Sequence, residues 1–539
     1  IAEELNKVSK NSHSSYLLEY QKSAPWALSF MNGYQFKNNI DDSLQKHAPL
    51  SKAIKKSKMS WLPRDLIQSY KLNLSKQGSN ARFKAVIDTF FDGNGEELLW
   101  VPPSNPYYPL EGSFKNQQGF SKSLLFSAWA MVPRALSGLI SYEAERRLLE
   151  GRRGVTKEYY RSKEHVPKIR FDGKSNLIAW SFIYPSRTLA SFKLTGDNKT
   201  LDELLKDVSK KIKSLFWAKL KPYENKGKKS KTHWYAVAPI LLDMLNGYQE
   251  DVDDWQVEFE NRLSDGRNKG RLDSIRHLFD LIEGGELGKP PKDLFNYLAR
   301  LAISGPAVCI FRSLAGQDSH HHLVDISESA LGFVSLFNKP ESEKAIKKRY
   351  YKAPYWQAVI DYCADGNLQA VVDEYFHLLI GSGQNSSEAL SKLDSVLNTN
   401  TVSVGCHFHE DIVLKKSEGM LEEKSTLRCH YAVPLGNQKM TDEKGMVRVS
   451  HVRDAFNSPF RPFVLNSTSI GQEGLDFHWY CSRIVHWNLP SNPIDLEQRE
   501  GRVNRYKSLV VRRRLVERFR DKINSSYQHS WSKLFEFAD

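Results

Sequence analysis

Short apolar runs alternate with helical patterns in two parts of this chain that lie far apart in the sequence. In the first part, residues 123–127 are apolar enough for a buried strand, and a helix is expected from Pro133 to Gly151. In the second part, the pattern predicts strands at 427–435, 461–470 and 482–489, and helices at 446–458 and 492–506. Because strands that alternate with helices favour a parallel sheet, the predicted fold class is α/β, with helices flanking that sheet.

The intervening residues 152–426 have a different character. Short helical patterns without a fixed repeat dominate there, as at 272–285, 292–302 and 367–383. Residues 1–119 are mixed and mostly helical, and a strand is expected at 98–101, ahead of a proline-rich turn. The simplest organisation is one α/β domain interrupted by a large, mainly helical insertion, which divides the chain into 1–119, 120–151, 152–426 and 427–539.

The chain carries a net charge of +14, from 77 basic and 63 acidic residues among 539. An excess of this size favours a polyanionic partner, because each phosphate that is neutralised releases counterions. A basic soluble protein without such a partner has the same composition. No apolar run approaches the ~18 residues that a membrane-spanning helix needs, and no signal-peptide pattern is present.

Basic residues cluster between Lys210 and Trp234, where the sequence has nine lysines and one glutamate. Lysines with interleaved aromatic rings suit a phosphate backbone whose bases are accessible, and Lys228 and Lys229 are the candidate nucleic-acid contacts. A solvated helix followed by a flexible lysine-rich loop explains the same residues equally well. The aromatic residues of this stretch are Phe216, Trp217, Tyr223 and Trp234.

The five cysteines are spread along the chain without a CxxC pair. This usage suits free thiols in a reducing compartment, so we expect a cytoplasmic protein, associated with the nucleoid if the source is bacterial. Zinc could in principle take four ligands from one group of residues. Their spacing lacks a zinc knuckle, and we expect no bound metal. The group comprises Cys406, His407, His409, Cys429 and His430.

A glycine turn follows the strand predicted at 461–470, in the stretch "STSIGQEGLD". Gly471 and Gly474 let the backbone approach a ligand without a side-chain clash, and Asp476 could accept hydrogen bonds from ribose hydroxyls. The hydroxyls of this stretch, including Thr468, could contact phosphates. Many turns between a strand and a helix share these features.

The stretch "QREGRVNR" spaces Arg499, Arg502 and Arg505 three residues apart. If the helix predicted at 492–506 includes all three, they form a row on one face. Guanidinium groups bind phosphate oxygens, and an arginine finger accelerates phosphoryl transfer by about 10³–10⁵-fold. An exposed basic helix without a ligand is the alternative.

Taken together, these stretches resemble the motifs of the C-terminal RecA-like domain of superfamily 2 helicases and translocases. "LLFSAW" resembles motif IV, "STSIGQEGLD" motif V and "QREGRVNRY" motif VI, in the order that this family has. The stretch "HWNLPSNPIDLEQR" is similar to the "NxPWNPxxxEQRxGR" pattern of the Swi/Snf-like and RapA-like branch. The resemblance covers residues 121–150 and 427–507. About 340 residues separate motifs IV and V, far more than the family usually has.

The resemblance implies a RecA-like sheet and a role for each matching residue. Arg502 and Arg505 occupy the arginine-finger positions, and Gln498 and Arg499 begin motif VI, which couples the γ-phosphate to the opposing domain. In motif V, Gly474 and Asp476 match positions near the ribose. Positions that match nucleic-acid contacts are Thr468, Ser127 and Trp129.

The sequence contains no GxxxxGK[ST] loop. The acid pair Asp373–Glu374 follows motif IV, whereas the catalytic acid pair of such enzymes precedes it, so we interpret Asp373 and Glu374 as part of an ordinary helix face. The site for ATP and Mg²⁺ is therefore expected to be shared with an N-terminal RecA-like domain of the same parent protein. The expected function is the C-terminal half of an ATP-dependent helicase or translocase that acts on nucleic acid, more readily double-stranded DNA, with a protein partner possible through the insertion. This chain alone is expected to be inactive. The alternative is a non-enzymatic nucleic-acid-binding or scaffolding protein that retains a degenerate RecA-like domain.

Overall fold

A computed structural model shows two compact units, each built from three separate stretches of the chain. The first unit consists of residues 1–97, 121–165 and 399–508, and the second of residues 98–120, 166–398 and 509–539. The structure describes residues 1, 3–4, 7, 22–31, 34, 37–40, 47–77, 80–152, 158–160, 166–171, 177–194, 199–224, 231–264, 268–285, 287–314, 323–399, 402–412, 425–435, 441–442, 445–446, 449–468, 476–522 and 530–538.

The helices and strands of the described residues are numbered here in chain order. Before the insertion these are α1 (Ala48–Lys56), α2 (Arg64–Gln68), α3 (Leu74–Gln77), α4 (Ala81–Phe90), β1 (Lys122–Phe126) and α5 (Met131–Leu149). A run of helices follows: α6 (Trp180–Ile183), α7 (Arg187–Ala190), α8 (Leu201–Leu220), α9 (Lys231–Leu245), α10 (Gln249–Leu263), α11 (Lys269–Glu283), α12 (Leu294–Ser304), α13 (Pro306–Leu314), α14 (Leu323–Phe337), α15 (Pro340–Arg349), α16 (Tyr355–Asp365), α17 (Leu368–Ile380) and α18 (Ser386–Leu397). The remaining elements are β2 (Val402–Cys406), β3 (Ser425–Cys429), β4 (Ala432–Leu435), β5 (Thr441–Asp442), β6 (Gly445–Met446), α19 (Val449–Phe456), β7 (Val464–Ser467), β8 (Cys481–His486), α20 (Pro493–Glu500), α21 (Leu509–Phe519) and α22 (Ser530–Glu536).

The first unit contains a four-stranded sheet in the order β4–β7–β1–β8, in which every neighbouring pair is parallel. Leu124 of β1 lies opposite Leu465 of β7 on one side and Ile484 of β8 on the other. All five residues of β1 are buried, as expected for an apolar strand in the middle of a covered parallel sheet. The α/β prediction is confirmed, with a parallel sheet flanked by helices that is consistent with a RecA-like domain.

Helix α5 packs on this sheet and carries buried acidic side chains that are paired. The Glu145 carboxylate accepts hydrogen bonds from the Tyr70 hydroxyl, at 2.5 Å, and from the Arg428 guanidinium, at 3.0 Å. The Arg428 guanidinium also lies 4.3 Å from the centre of the Tyr159 ring. A buried charge is tolerated only when it is paired and hydrogen-bonded, so this network joins α5 to the strand that bears Arg428.

A second, antiparallel sheet in the same unit has the order β3–β2–β5–β6. The single strand predicted at 427–435 was wrong, because the chain breaks at His430 and Tyr431 and places β3 and β4 in different sheets. Burial in β3 tends to alternate, as in an antiparallel sheet with one exposed face, whereas β4 is buried throughout. The merged apolar pattern of the two strands concealed this change.

The second unit is mainly helical, and the helices predicted at 272–285, 292–302 and 367–383 are confirmed as α11, α12 and α17. The strand predicted at 98–101 was wrong. Those residues are buried in this unit in irregular conformation, where the Leu99 amide donates to the Tyr362 hydroxyl at 2.8 Å.

Among the described helices, none alone has the length and hydropathy to cross a membrane, although the bent pair α12 and α13 reaches that threshold together.

Buried polar groups join separate stretches of this second unit. The Glu374 carboxylate of α17 accepts hydrogen bonds from Arg512 of α21 and from the amide and hydroxyl of Ser104, each at 2.7 Å. Its neighbour Asp373 accepts from Ser313 and Tyr107. The acid pair therefore lies in a helix, as predicted, with Glu374 buried, Asp373 partly buried and both hydrogen-bonded within the unit.

Candidate functional site

The carboxyl ends of the parallel strands meet at one edge of the sheet, which is where open α/β sheets bind their ligands. The Ser127 amide, just beyond β1, donates to the Ser467 carbonyl of β7 at 2.9 Å. On the other side, the Trp487 amide, just beyond β8, donates to the Phe126 carbonyl at 2.8 Å. Residues that follow three different strands are thus held side by side.

Ser127 and Trp129 lie at this edge, where motif IV was recognised. The Ser127 hydroxyl is buried, donates to Asn488 Oδ1 at 3.1 Å and accepts from the Trp129 amide at the same distance. These bonds connect the end of β1 to the segment after β8. Trp129 and Thr468 are partly exposed. The contacts of these three residues with nucleic acid stay predictions.

Helix α20 begins where its sequence predicts, because Asn492 accepts a hydrogen bond from the Ile494 amide and Pro493 occupies the first turn. It ends at Glu500, not near 506. Arg502 and Arg505 lie in the turns that follow, so the predicted row of three arginines on one helix face was wrong. The helix ends here because the backbone changes to tighter turns, in which an amide bonds to the carbonyl three residues before it. The Arg502 amide, for example, donates to the Arg499 carbonyl at 3.2 Å.

Arg499 points into the domain. Its guanidinium lies 4.9 Å from the centre of the Phe126 ring, and its Nη1 is 3.2 Å from Nδ1 of His486. Burial lowers the pKa of Arg499 from its usual value, but the group remains cationic. Burial and the nearby guanidinium lower the pKa of His486, which favours a neutral ring whose Nδ1 accepts the hydrogen bond. Arg499 therefore fastens α20 to the ends of β1 and β8.

The other two arginines are associated with the end of the motif V segment. The Phe477 amide donates to the Arg502 carbonyl at 3.1 Å. Nη2 of Arg505 lies 2.8 Å from Oδ1 of Asp476, and both side chains are close to half exposed. The structure thus brings together Asp476, Arg502 and Arg505, which the sequence analysis had assigned to one nucleotide site. Their catalytic and ribose-binding roles stay predictions.

The remaining predicted site residues divide into two groups. Gln498 is exposed on α20, on a different side from the buried Arg499. Gly471, Gly474, Lys228 and Lys229 lie outside the described residues, so nothing is said of their structure. The predictions for these five residues are unchanged.

The aromatic residues of the lysine-rich stretch do not share one environment. Phe216 lies on the buried face of α8. Trp234 is buried in α9, and its indole N–H donates to the Gly288 carbonyl at 2.9 Å. Trp217, by contrast, has 43% of its surface exposed. Sequence alone could not separate core rings from surface rings, because both types follow lysines at similar spacing.

The cysteine and histidine group does not converge on a metal site. Cys406 pairs with Ser425 and Cys429 with Val402, so the two cysteines lie at opposite ends of the β2–β3 ladder. Burial raises the pKa of the Cys406 thiol to about 12, which opposes the thiolate that zinc needs. Within the described part of the chain, no three histidine, cysteine, aspartate or glutamate side chains are placed to hold one ion.

Residues 390–507 match the family described as helicase conserved C-terminal domain. This match includes the segments assigned to motifs V and VI, and it shows that the chain carries a helicase C-terminal domain. Neither the curated proteins nor the solved structures searched contain a significant match. Strand β1 lies outside the matched residues but in the centre of the sheet that they form, so the domain's structure also requires residues near 122–126.

Proposed function

We propose that this chain supplies the C-terminal motor domain of an ATP-dependent helicase or translocase, of the Swi/Snf-like or RapA-like branch that the sequence resembles. The observation that carries the proposal is the helicase C-terminal match over residues 390–507, which ends just after Arg502 and Arg505. Arg505 pairs with Asp476, and the Arg502 carbonyl accepts from the amide of the next residue, Phe477; Arg505 is exposed and Arg502 is partly exposed. Nothing among the described residues favours the alternative of a degenerate scaffold.

The exposed guanidinium of Arg505 fits a phosphate ligand. Its partner Asp476 is also exposed, and a pair of this kind is worth only about 0–1 kcal/mol, so an incoming phosphate can replace the carboxylate at little cost. Arg505 and Arg502 would then stabilise the negative charge that spreads over the γ-phosphate oxygens during transfer. Mg²⁺ would be held mainly by acidic residues of the other RecA-like domain.

The surface around these arginines also fits a second domain. Three large apolar side chains are exposed within residues 487–507, the segment that also carries Arg502 and Arg505. We infer that they contact the domain that binds most of the nucleotide, either in the same parent protein or in a separate chain. Their exposed fractions are 76% for Leu489, 58% for Ile494 and 66% for Tyr506.

Nucleic acid is the expected activator, with double-stranded DNA favoured by the branch resembled. The net charge of +14 supports a phosphate-backbone partner. In such motors, two RecA-like lobes close on ATP and open after hydrolysis as ADP and phosphate leave, and alternating backbone contacts move the protein along the strand. The arginines then couple the nucleotide state to lobe closure.

The test uses a preparation of the protein that hydrolyses ATP when nucleic acid is added. Replacing Arg502 or Arg505 by alanine should lower the stimulated rate by about 10³-fold or more, because an arginine finger contributes roughly 10³–10⁵. Affinity for the same DNA should change less than about twofold. ATP hydrolysis and DNA binding are measured on the same samples.

Arg453→Ala is the matched control, because Arg453 is a similarly exposed arginine of the same unit whose near neighbour is Asp454. It should leave the stimulated rate unchanged. Equal loss of hydrolysis and DNA affinity in the Arg502 and Arg505 variants would contradict the proposed role and indicate a binding or folding defect.

A further inference from the structure

Helix α8 of the helical unit is amphipathic, with one apolar stripe packed inward. The buried stripe lies against α12, where the Ser209 hydroxyl donates to Asn296 Oδ1 at 2.9 Å. A capping box formed by Thr200 and Glu203 begins the helix. The stripe consists of Leu201, Leu204, Leu205, Val208, Ile212, Phe216 and Leu220. Because the helix is anchored along its whole length, its outward side chains have defined positions.

The opposite face presents a second stripe made of lysines and one tryptophan. Successive members are three or four residues apart, so they lie above one another on one helical face. At 1.5 Å per residue the stripe is about 22 Å long, with successive members about 4.5–6 Å apart along the helix axis. The members, all exposed, are Lys206, Lys210, Lys213, Trp217 and Lys221.

The charge on this face is partly balanced only near the start of the helix, where Glu203 interacts with Lys206 and Asp207 with Lys210. The acidic residues of α8 are Asp202, Glu203 and Asp207, all in its first two turns, and Asp207 already pairs with Lys199 at 2.5 Å. Residues 208–223 contain no acidic residue. Helix α10 of the same unit has the opposite composition, with six acidic residues. A surface that serves only solubility mixes the two signs, so the lysines without acidic residues between 208 and 223 point to an anionic ligand.

Trp217 adds a stacking surface within the row of charges. The edge of its ring contacts Phe295 of α12, with the ring centres 5.9 Å apart at 62°, while 43% of the residue stays exposed. The Lys213 ammonium lies 5.7 Å from the ring centre. An anchored, half-exposed indole beside a lysine matches the way proteins bind an unpaired base and its phosphate.

We propose that the stripe from Lys206 to Lys221 is a binding site for single-stranded nucleic acid in the helical unit. The lysines contact successive phosphates, and one base stacks on Trp217. The site is separate from the arginines of the helicase domain and needs no ATP. Its binding should be independent of base sequence, because phosphates and ring faces are common to all nucleotides.

The test measures binding of a fluorescently labelled oligothymidylate to the full chain by anisotropy, without nucleotide and at several salt concentrations. Replacing Lys206, Lys210 and Lys213 together by glutamine should reduce the slope of log affinity against log salt by about 2, since each single-strand phosphate contributes roughly 0.7. The control replaces three exposed lysines of α1 with the same loss of charge: Lys52, Lys55 and Lys56. This control should leave the slope within about 0.3 of the original.

Trp217→Ala should lower the affinity for the oligothymidylate about tenfold without changing the salt slope, because stacking does not release counterions. Affinity for a duplex of the same length should not fall. Circular dichroism confirms that each variant remains folded.

Three results would overturn the inference: no binding by the original chain, equal effects of the α8 and α1 triple variants, or an unchanged affinity of Trp217→Ala. Stronger binding to vesicles with anionic lipids, weakened by the same α8 substitutions, would instead identify a membrane surface and would also overturn it. Since ATP is absent from the assay, these outcomes do not depend on the roles of Arg502 and Arg505.

Discussion

Arg499 and Arg505 show how one sequence motif can give two different environments. Arg499 is 5% exposed and lies against Phe126 and His486, whereas Arg505 is close to half exposed and pairs with Asp476. The buried guanidinium of Arg499 is fixed by its packing, which positions α20 on the strand ends. An exposed one can exchange its carboxylate partner for a phosphate. The proposed chemistry therefore rests on Arg502 and Arg505.

His486 makes the first unit sensitive to acid. Its pKa lies below the ordinary 6.5, owing to burial and the Arg499 guanidinium, so the unfolded chain takes up a proton at a higher pH than the folded chain does. The stabilising contribution is thus complete above about pH 6.5 and is lost as the pH falls from there through the lower pKa of the folded state. We expect His486→Gln to lose less unfolding free energy than the original protein between pH 7.5 and 5.5.

Urea unfolding at several pH values checks this expectation. His451→Gln serves as a control, because His451 is exposed in the same unit. Parallel pH profiles for the original protein and His486→Gln would show that His486 does not contribute to the acid sensitivity.

At the scale of elements, buried ion pairs fasten remote segments to the helical unit. Arg512 of α21 and Glu374 of α17 are both almost fully buried, and their pair also includes Ser104 from the 98–120 segment. Removing one partner leaves an uncompensated buried charge, which costs about 3–5 kcal/mol. We expect Arg512→Ala to lower the free energy of unfolding by that amount.

Arg514→Ala is the matched control for this prediction. Arg514 lies on the same helix, pairs with Glu517 at 3.1 Å and is 79% exposed, so its removal should cost less than about 0.5 kcal/mol. Chemical unfolding followed by tryptophan fluorescence compares the two variants. Similar losses of unfolding free energy in both variants would mean that the buried Arg512–Glu374 pair contributes no more to stability than the exposed Arg514–Glu517 pair.

The elements also show where sequence patterns were sufficient. Helix α17 was predicted correctly, because its apolar residues recur with helical spacing. Asn367 and Gly381, which are typical of helix ends, cap it on either side. The break between β3 and β4 was not predicted, because residues 427–435 were interpreted as one strand although their two halves join different sheets. Which neighbour a strand pairs with depends on long-range contacts that a local pattern does not contain.

At the scale of the whole molecule, the excess of 14 positive charges favours electrostatic binding to a polyanion. We expect binding to duplex DNA to weaken steeply with salt, since a protein that contacts six to ten phosphates loses about 10³–10⁵ in affinity between 50 and 200 mM. Two duplexes of equal length and unrelated sequence should bind about equally. A titration of both duplexes over that salt range tests this prediction, and a flat salt response would contradict it.

The amino-acid sequence by itself determined the fold class, the helices α11, α12 and α17 of the second unit, and the motif order that identified the helicase C-terminal domain. These features follow from local periodicity and from short motifs. Only the tertiary structure decided that β1, about 340 residues before β7, is a central strand of the sheet, that Arg499 faces inward, and that Asp476 lies beside Arg505. Each of these facts depends on segments remote in sequence that are brought together by packing, which no local pattern records.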